Sequence, residues 1–184
     1  DGTVNEVVNG RLGPADEQRP DPHSIPALAV IPTGSANVFV RALGFPNPPM
    51  EATHVLARML DRDLRRTIYL GTWNERWFAV NAGFGLDADV LARVDRAREQ
   101  GFSATPLRYL NVAIRAWSRA RKNPPHIAVT AESSSGEQLH KDDVPLLFTS
   151  NTNPWTFLGP LPVVTNPRNS FDEGLALFGL EEFS

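Results

Sequence analysis

The 184-residue chain contains no cysteine, which excludes disulfide bridges, zinc–thiolate sites and cysteine nucleophiles. It also lacks an apolar run near the ~20 residues that span a bilayer, so any membrane contact of these residues must be local. No excess of basic residues is present: 18 Lys and Arg face 21 Asp and Glu, and the net charge of −3 argues against a nucleic-acid partner. The 41% hydrophobic content suffices for a core, and the length suits one domain or pieces of two.

The first ten residues, DGTVNEVVNG, predict a phosphate-binding turn that leads into a helix. Gly2 gives the turn flexibility, Thr3 gives it a hydroxyl, and the N–H groups of a helix N-terminus favour an anion. Asp1 adds a carboxylate of the kind that holds Mg²⁺. Thr3 and Glu6 have the spacing of a capping box, which predicts that Thr3 caps the helix. A capped helix that binds no ligand explains these residues equally well.

A second segment repeats the order of strand, polar turn and helix. Residues 27–31 (ALAVI) are a short apolar run between two prolines, which predicts a buried strand. Residues 32–37 (PTGSAN) form the turn, and residues 38–44 (VFVRALG) begin the next helix. Ligands of open α/β sheets bind at the carboxyl ends of the strands, so we expect the two turns to share one rim.

These segments resemble motifs of the diacylglycerol kinase catalytic-domain family, which includes bacterial lipid kinases and sphingosine kinases. Residues 1–10 resemble the second half of its GGDGTxNEVxNG motif, and residues 31–44 resemble its IPxGTxNxFARxLG motif. Residues 78–90 (FAVNAGFGLDADV) are similar to its FxNxAGxGxDAxV stretch, and residues 170–175 (SFDEGL) to its ADDGxLDV turn. Four motifs in family order cover essentially the whole chain, so the resemblance is specific.

The resemblance implies a fold like that of diacylglycerol kinases and NAD kinases. Residues 1–64 would be the C-terminal part of an α/β ATP-binding domain. Residues 65–184 would form a mainly antiparallel β domain with inserted helices, a lipid-substrate domain that is incomplete at its C-terminus. The nucleotide would bind in the cleft between the two. The chain is therefore expected to be an internal piece, inactive alone, with the family's general base, a Glu, beyond residue 184.

The resemblance also implies an enzyme, a kinase of lipid metabolism and phospholipid biosynthesis that uses ATP and Mg²⁺. It would transfer the γ-phosphate to the hydroxyl of diacylglycerol or a related lipid alcohol, as a peripheral protein at the cytoplasmic face of the inner membrane. The resemblance also allows a homodimer. Asp1 would act through Mg²⁺, and Glu173 could hold a second, structural ion. The nucleotide would be bound by six residues: Gly2, Thr3, Asn5, Gly34, Ser35 and Asn37.

Three positions depart from the family pattern. Ser35 replaces the usual Thr and keeps its hydroxyl. Val38 and Tyr69 each stand where several members have Asp, which puts part of the family's Mg²⁺ and water network in doubt. The same departures keep open a non-catalytic module that binds lipid or nucleotide.

Two alternative interpretations of the sequence involve other nucleotide-binding proteins. Residues 83–88 spell G-x-G-x-x-A, the dinucleotide fingerprint, but the second strand ending in an acid that should follow is not indicated. An NAD kinase-like enzyme, or another small-molecule kinase with the GGDGT turn, is the nearer alternative. The Pro-x-Gly-Ser-x-Asn stretch at residues 32–37 favours the lipid kinases instead.

Two segments are candidates for lipid or membrane contact. The predicted helix 106–121 spreads basic residues, among them Arg115 and Arg119, around an apolar face, and an ordinary solvated face explains it too. The loop at residues 153–161 is rich in large apolar groups, among them Trp155 and Phe157. It either covers the core or dips into a bilayer interface.

The remaining pattern predicts a helix over residues 51–60 and a hairpin of residues 67–72 and 76–82 across a turn at Asn74. Further strands are predicted at residues 127–131, 144–149 and 175–180, with residues 133–136 as the turn between the first two. The four histidines have no ligand spacing, and no role is assigned to them.

Overall fold

A computed structural model of the chain describes residues 1–16, 21–85 and 126–180. The chain divides into two compact units. The first unit is Asp1–Ala82 with Ser150–Ala176, and the second is Gly83–Thr149 with Leu177–Ser184. The chain leaves the first unit after Ala82 and returns to it at Ser150. The boundary near residue 64 stays a prediction. The division into an ATP-binding and a lipid-substrate domain stays a prediction.

The described residues contain three α-helices: α1 (Gly2–Leu12), α2 (Val38–Ala42) and α3 (Pro49–Asp61), with a short 3₁₀ turn at Pro22–Ser24. They also contain nine strands: β1 (Gly71–Trp73), β2 (Arg76–Phe78), β3 (Asn81–Gly85), β4 (Ile127–Glu132), β5 (Gln138–Val144), β6 (Leu146–Ser150), β7 (Thr156–Leu158), β8 (Leu161–Val163) and β9 (Ala176–Leu180). The mixture of helices and antiparallel hairpins confirms the coarse fold class. No helix within the described ranges has the length and apolar character to cross a membrane.

Helix α1 begins two residues earlier than the capping box requires. Its N-cap residue is Asp1, and no side chain bonds back to its first turn. Thr3 lies inside that turn instead of at its start, so its hydroxyl is not at the capping position. The predicted capping box of Thr3 and Glu6 is therefore wrong.

Residues 27–31 are not a buried strand. They belong to none of the sheets formed by the described residues. Leu28 and Ile31 are 47% and 42% exposed. A strand needs a neighbour to pair its backbone groups, and an apolar run cannot supply one. The prediction from the ALAVI run is wrong for this reason.

The core of the first unit joins the segments that carry the motifs. Val4 of α1 packs with Phe39 and Val40 of α2, with Ala79 after β2, and with Phe171. The rings of Phe39 and Phe171 meet edge to face, with centroids 5.5 Å apart at an interplanar angle of 71°. Burial of large aromatic rings is among the stronger stabilising contributions to a small core, so α1 and α2 are fixed relative to each other.

The predicted helix and first hairpin are confirmed, with shorter strands. Helix α3 spans the predicted residues, and β1 pairs with β2 antiparallel from Gly71↔Phe78 to Trp73↔Arg76. Asn74 takes φ 50 in the turn, a conformation that Asn tolerates well.

The second unit contains the hairpin β4–β5 and most of the sheet ordered β3–β6–β9. Phe148 of β6 stacks on Phe178 of β9, with centroids 4.9 Å apart. Strand β5 was not predicted from the sequence. Six of its seven residues are exposed, so QLHKDDV shows no alternation of apolar and polar residues.

Candidate functional site

The two predicted phosphate-binding turns meet through the carboxylate of Asp1. Its Oδ2 accepts a hydrogen bond of 3.0 Å from the N–H of Val38, and its Oδ1 accepts one of 2.8 Å from the N–H of Phe39. The first N–H groups of a helix have no partner within the helix, so Asp1 satisfies two such donors of α2. The start of α1 and the start of α2 are thereby held side by side.

The second turn is shaped by the side chain of Asn37. This residue is buried, lies in the left-handed region at φ 50, and accepts a 2.8 Å bond at Oδ1 from the N–H of Gly34. Its Nδ2 donates to the carbonyl of Gly34 at 2.9 Å and to Oδ1 of Asn47 at 2.8 Å. A Cβ at Gly34 would lie 3.0 Å from Asn37 Oδ1, so the closed turn leaves little room for a side chain there.

Gly34 and Ser35 remain exposed in this turn, as do Gly2 and Thr3 in the first turn of α1. A Cβ at Gly2 would meet nothing within 4 Å, so open space lies beside that backbone. The structure therefore places these four predicted ligands on two adjoining surfaces. Their contact with a nucleotide stays a prediction.

Asn5 and Asn9 connect α1 to β2 and the residue that follows it. Asn9 accepts from the N–H of Trp77 and donates to the carbonyl of Trp77, both at 2.9 Å. Asn5 accepts from the N–H of Ala79 at 3.2 Å. The family resemblance places Asn5 at the nucleotide and gives Asn9 no role. The sequence does carry a signal for these contacts. Asn5 and Asn9 are four residues apart and so lie on one helix face, and Asn favours helix formation only weakly, which indicates that their side chains have partners outside the helix.

A buried polar cluster that the sequence did not predict begins at the last residue of β6. Ser150, Asn151 and Thr152 are almost fully buried. Ser150 Oγ donates to Asn81 Oδ1 at 2.6 Å, and Asn151 Nδ2 donates to the carbonyl of Tyr69 at 2.7 Å. Three polar residues after an apolar strand indicate such a cluster, because buried polar groups need partners.

The two departures from the family pattern lie in different surroundings. Val38 is buried and gives its N–H to Asp1. The side chain of Tyr69 is exposed, while its N–H donates to the carbonyl of Phe171 at 3.0 Å. Neither side chain supplies a carboxylate to the turns.

The predicted metal residues Asp1 and Glu173 lie in no recognisable metal cluster. The part of the chain that the structure describes holds no group of three or more His, Cys, Asp or Glu suited to a metal ion. Glu173 is exposed, and its N–H donates to the carbonyl of Ser170 at 3.2 Å. A single carboxylate still fits Mg²⁺ bound mainly by nucleotide phosphates and water, because that ion often takes only one or two protein ligands.

Of the predicted lipid-contact residues, Arg115 and Arg119 lie outside the described residues, and Trp155 and Phe157 are partly buried. Trp155 donates its N–H to the carbonyl of Val163 at 2.9 Å. The guanidinium of Arg41 lies 3.3 Å from the centroid of the Phe157 ring. Burial lowers the pKa of Arg41 from its ordinary value.

A comparison with known protein families finds a match that covers the two turns described above. Residues 1–67 match the family described as the diacylglycerol kinase catalytic domain. The resemblance of the first two motifs to that family is thereby confirmed over residues 1–67. The match includes both turns and the Asp1 contacts, whereas the motifs at residues 78–90 and 170–175 lie beyond it.

Two curated proteins are similar to part of the chain. A probable lipid kinase YegS-like of Chromohalobacter salexigens is 40% identical over 90 residues, which are 49% of this chain and 26% of that protein. A diacylglycerol kinase of Bacillus subtilis is 41% identical over 85 residues, 46% of this chain and 24% of that protein. The chain thus spans about a quarter of the length of these relatives. No solved structure matches it.

Proposed function

We propose that this chain is part of an ATP-dependent lipid kinase, which transfers the γ-phosphate to the hydroxyl of diacylglycerol or a related lipid alcohol. The observation that carries the proposal is the joining of the two turns by Asp1. Both turns lie within the 67 residues that match the diacylglycerol kinase catalytic domain. The similarity to a probable lipid kinase and to a diacylglycerol kinase favours a lipid acceptor over NAD.

The chemistry of phosphoryl transfer suits these turns. It needs positioning and charge stabilisation of the phosphates more than covalent catalysis by the protein. Gly2 and Gly34 offer backbone that a ligand can approach closely, and Thr3 and Ser35 offer hydroxyls. We assign these four residues to the phosphates.

Asn5 and Asn37 act differently in this proposal. The side-chain amide of Asn5 bonds to Ala79, and that of Asn37 bonds to Gly34 and Asn47. We therefore assign them as positioning residues, which hold the turns without touching the nucleotide.

Asp1 has both a positioning role and a possible ligand role. Each of its oxygens accepts one N–H, and a carboxylate is a ligand type that Mg²⁺ prefers, so we assign Asp1 also to Mg²⁺ carried by the nucleotide. Mg²⁺ would screen the charge of the transferred phosphate. Glu173 lies on a separate exposed turn, and the only role we assign to it is the binding of a structural metal ion.

The test is phosphate transfer by the full-length protein that contains this sequence. The protein is given γ-labelled ATP with diacylglycerol, sphingosine, NAD or no acceptor. We expect label in the organic phase only with a lipid acceptor. Label on NAD would establish the NAD kinase-like alternative, and lipid binding without ATP consumption would establish a non-catalytic module.

A further inference from the structure

The strands β7 and β8 form a two-stranded hairpin with two different faces. The register pairs Thr156 with Val163, Phe157 with Pro162, and Leu158 with Leu161. Side chains alternate between the faces of a strand, so Leu158 and Leu161 lie together on one face. Phe157 lies on the other face, where Arg41 covers its ring.

The leucine face is exposed at the tip of the hairpin. Leu158 is 58% exposed and Leu161 is 68% exposed, on either side of a turn in which Gly159 takes φ 60. Val164, just after β8, is 48% exposed. Exposed aliphatic side chains that are adjacent in space mark an interaction surface more often than scattered ones do.

Acidic residues are absent from the sequence on both sides of this tip. Residues 144–171 contain no Asp or Glu, and their one charged residue is Arg168. Arg41 adds a second cation, and within the described residues it has no ion-pair partner. Its guanidinium donates to the carbonyl of Gly159 at 3.0 Å and to that of Pro160 at 3.4 Å, directly under the turn.

Arg41 also connects the hairpin to the second predicted phosphate turn. It donates to the carbonyl of Ala36 at 3.4 Å, next to Ser35. The guanidinium therefore bridges the turn of residues 32–37 and the hairpin tip. A contact that fixes the hairpin tip would therefore also affect the position of that turn.

We propose that the tip of the β7–β8 hairpin docks on an anionic phospholipid bilayer. Leu158 and Leu161 insert among the acyl chains, and Arg41 faces the lipid phosphates. The inference deepens the proposed function, because a kinase of a bilayer lipid must reach that surface. Apolar insertion together with cationic side chains is the usual basis of peripheral binding. A second copy of the chain suits the tip less well, since stable protein interfaces take about 20–30 residues from each side.

The test compares two double variants of the full-length protein, L158S/L161S and L60S/L64S. Leu60 and Leu64 lie in and after α3 and are 68% and 56% exposed, so they match the hairpin pair in type and exposure. Flotation with phosphatidylcholine vesicles containing phosphatidylglycerol measures binding without ATP. We expect L158S/L161S to bind at least about tenfold more weakly than the wild type and L60S/L64S to bind as the wild type does.

A positive signal comes from L161W, measured with brominated lipids in the same vesicles. Insertion would shift the added tryptophan emission to the blue and quench it, and the wild type corrects for the native tryptophans, four of which lie in this sequence. Unquenched emission, or wild-type binding by L158S/L161S, would overturn the proposal. If the serine variant does not fold, judged by circular dichroism, the L161W result decides.

Phosphate transfer separates this inference from the proposed function. L158S/L161S should lose transfer to diacylglycerol in vesicles and keep transfer to a short-chain, water-dispersed diacylglycerol. Loss of both with native folding would contradict a docking role. A wild type that floats with vesicles yet transfers no phosphate would leave docking standing and refute the kinase.

Discussion

The carboxylate of Asp1 accepts the backbone N–H of Phe39 at 2.8 Å, so the first residue of one motif caps the helix of the next. With the second bond, from Val38, the two turns form one unit. The core contact between Val4 and Phe39 lies directly behind them. A side chain expected to serve a metal ion therefore also serves the fold.

This contact predicts that Asp1→Ala lowers stability. A carboxylate that only held Mg²⁺ could be removed with little change in the melting temperature. Removing the carboxylate leaves two backbone donors without a partner, which should cost about 1–3 kcal/mol of unfolding free energy. Thermal unfolding of the full-length variant measures it. An unchanged melting temperature with lost phosphate transfer would return Asp1 to a purely catalytic role.

Asn37→Ala should destabilise the second turn more than Asn47→Ala does. Asn37 makes two bonds to Gly34 and one to Asn47, and its φ of 50 suits Asn better than Ala. We expect a loss of roughly 2–3 kcal/mol for Asn37→Ala and about 1 kcal/mol for Asn47→Ala, which breaks one bond. Urea unfolding of both variants gives the comparison. Equal losses would show that the turn does not depend on the Asn37 side chain.

Asn9→Ala should loosen the contact between α1 and β2. The variant leaves the N–H and carbonyl of the buried Trp77 without their side-chain partner. The expected loss is about 1–3 kcal/mol, offset by a few tenths because Ala favours the helix. Tryptophan fluorescence during urea unfolding follows it. Asn5→Ala, which removes one longer bond, is the graded control, and a larger effect there would contradict this assignment.

Several elements were predictable because their signal is local. Helix α3 follows a proline-rich break and has apolar residues at helical spacing, and the hairpin β1–β2 has a turn residue between two short apolar runs. The prediction of a buried strand at residues 27–31 was wrong because a strand needs a pairing partner elsewhere in the chain. The hydrogen bonds of Asp1, Asn9 and Asn37 could not be predicted for the same reason. The residue types in a motif do not specify which backbone atoms their side chains will contact.

Gly71 in β1 and Gly10 in α1 give a pair of alanine substitutions with opposite expected effects on stability. A Cβ at Gly71 would lie 2.0 Å from the ring of Phe78, its partner across the strands, and that ring is buried. Gly71→Ala must therefore displace the ring, at a cost of about 1–3 kcal/mol. Gly10→Ala, in the exposed part of α1 with nothing within 4 Å of the new Cβ, should instead raise stability by about 0.5–1 kcal/mol. Urea unfolding of the two variants should thus give opposite signs, and a Gly71→Ala protein as stable as the wild type would show that Phe78 is free to move aside.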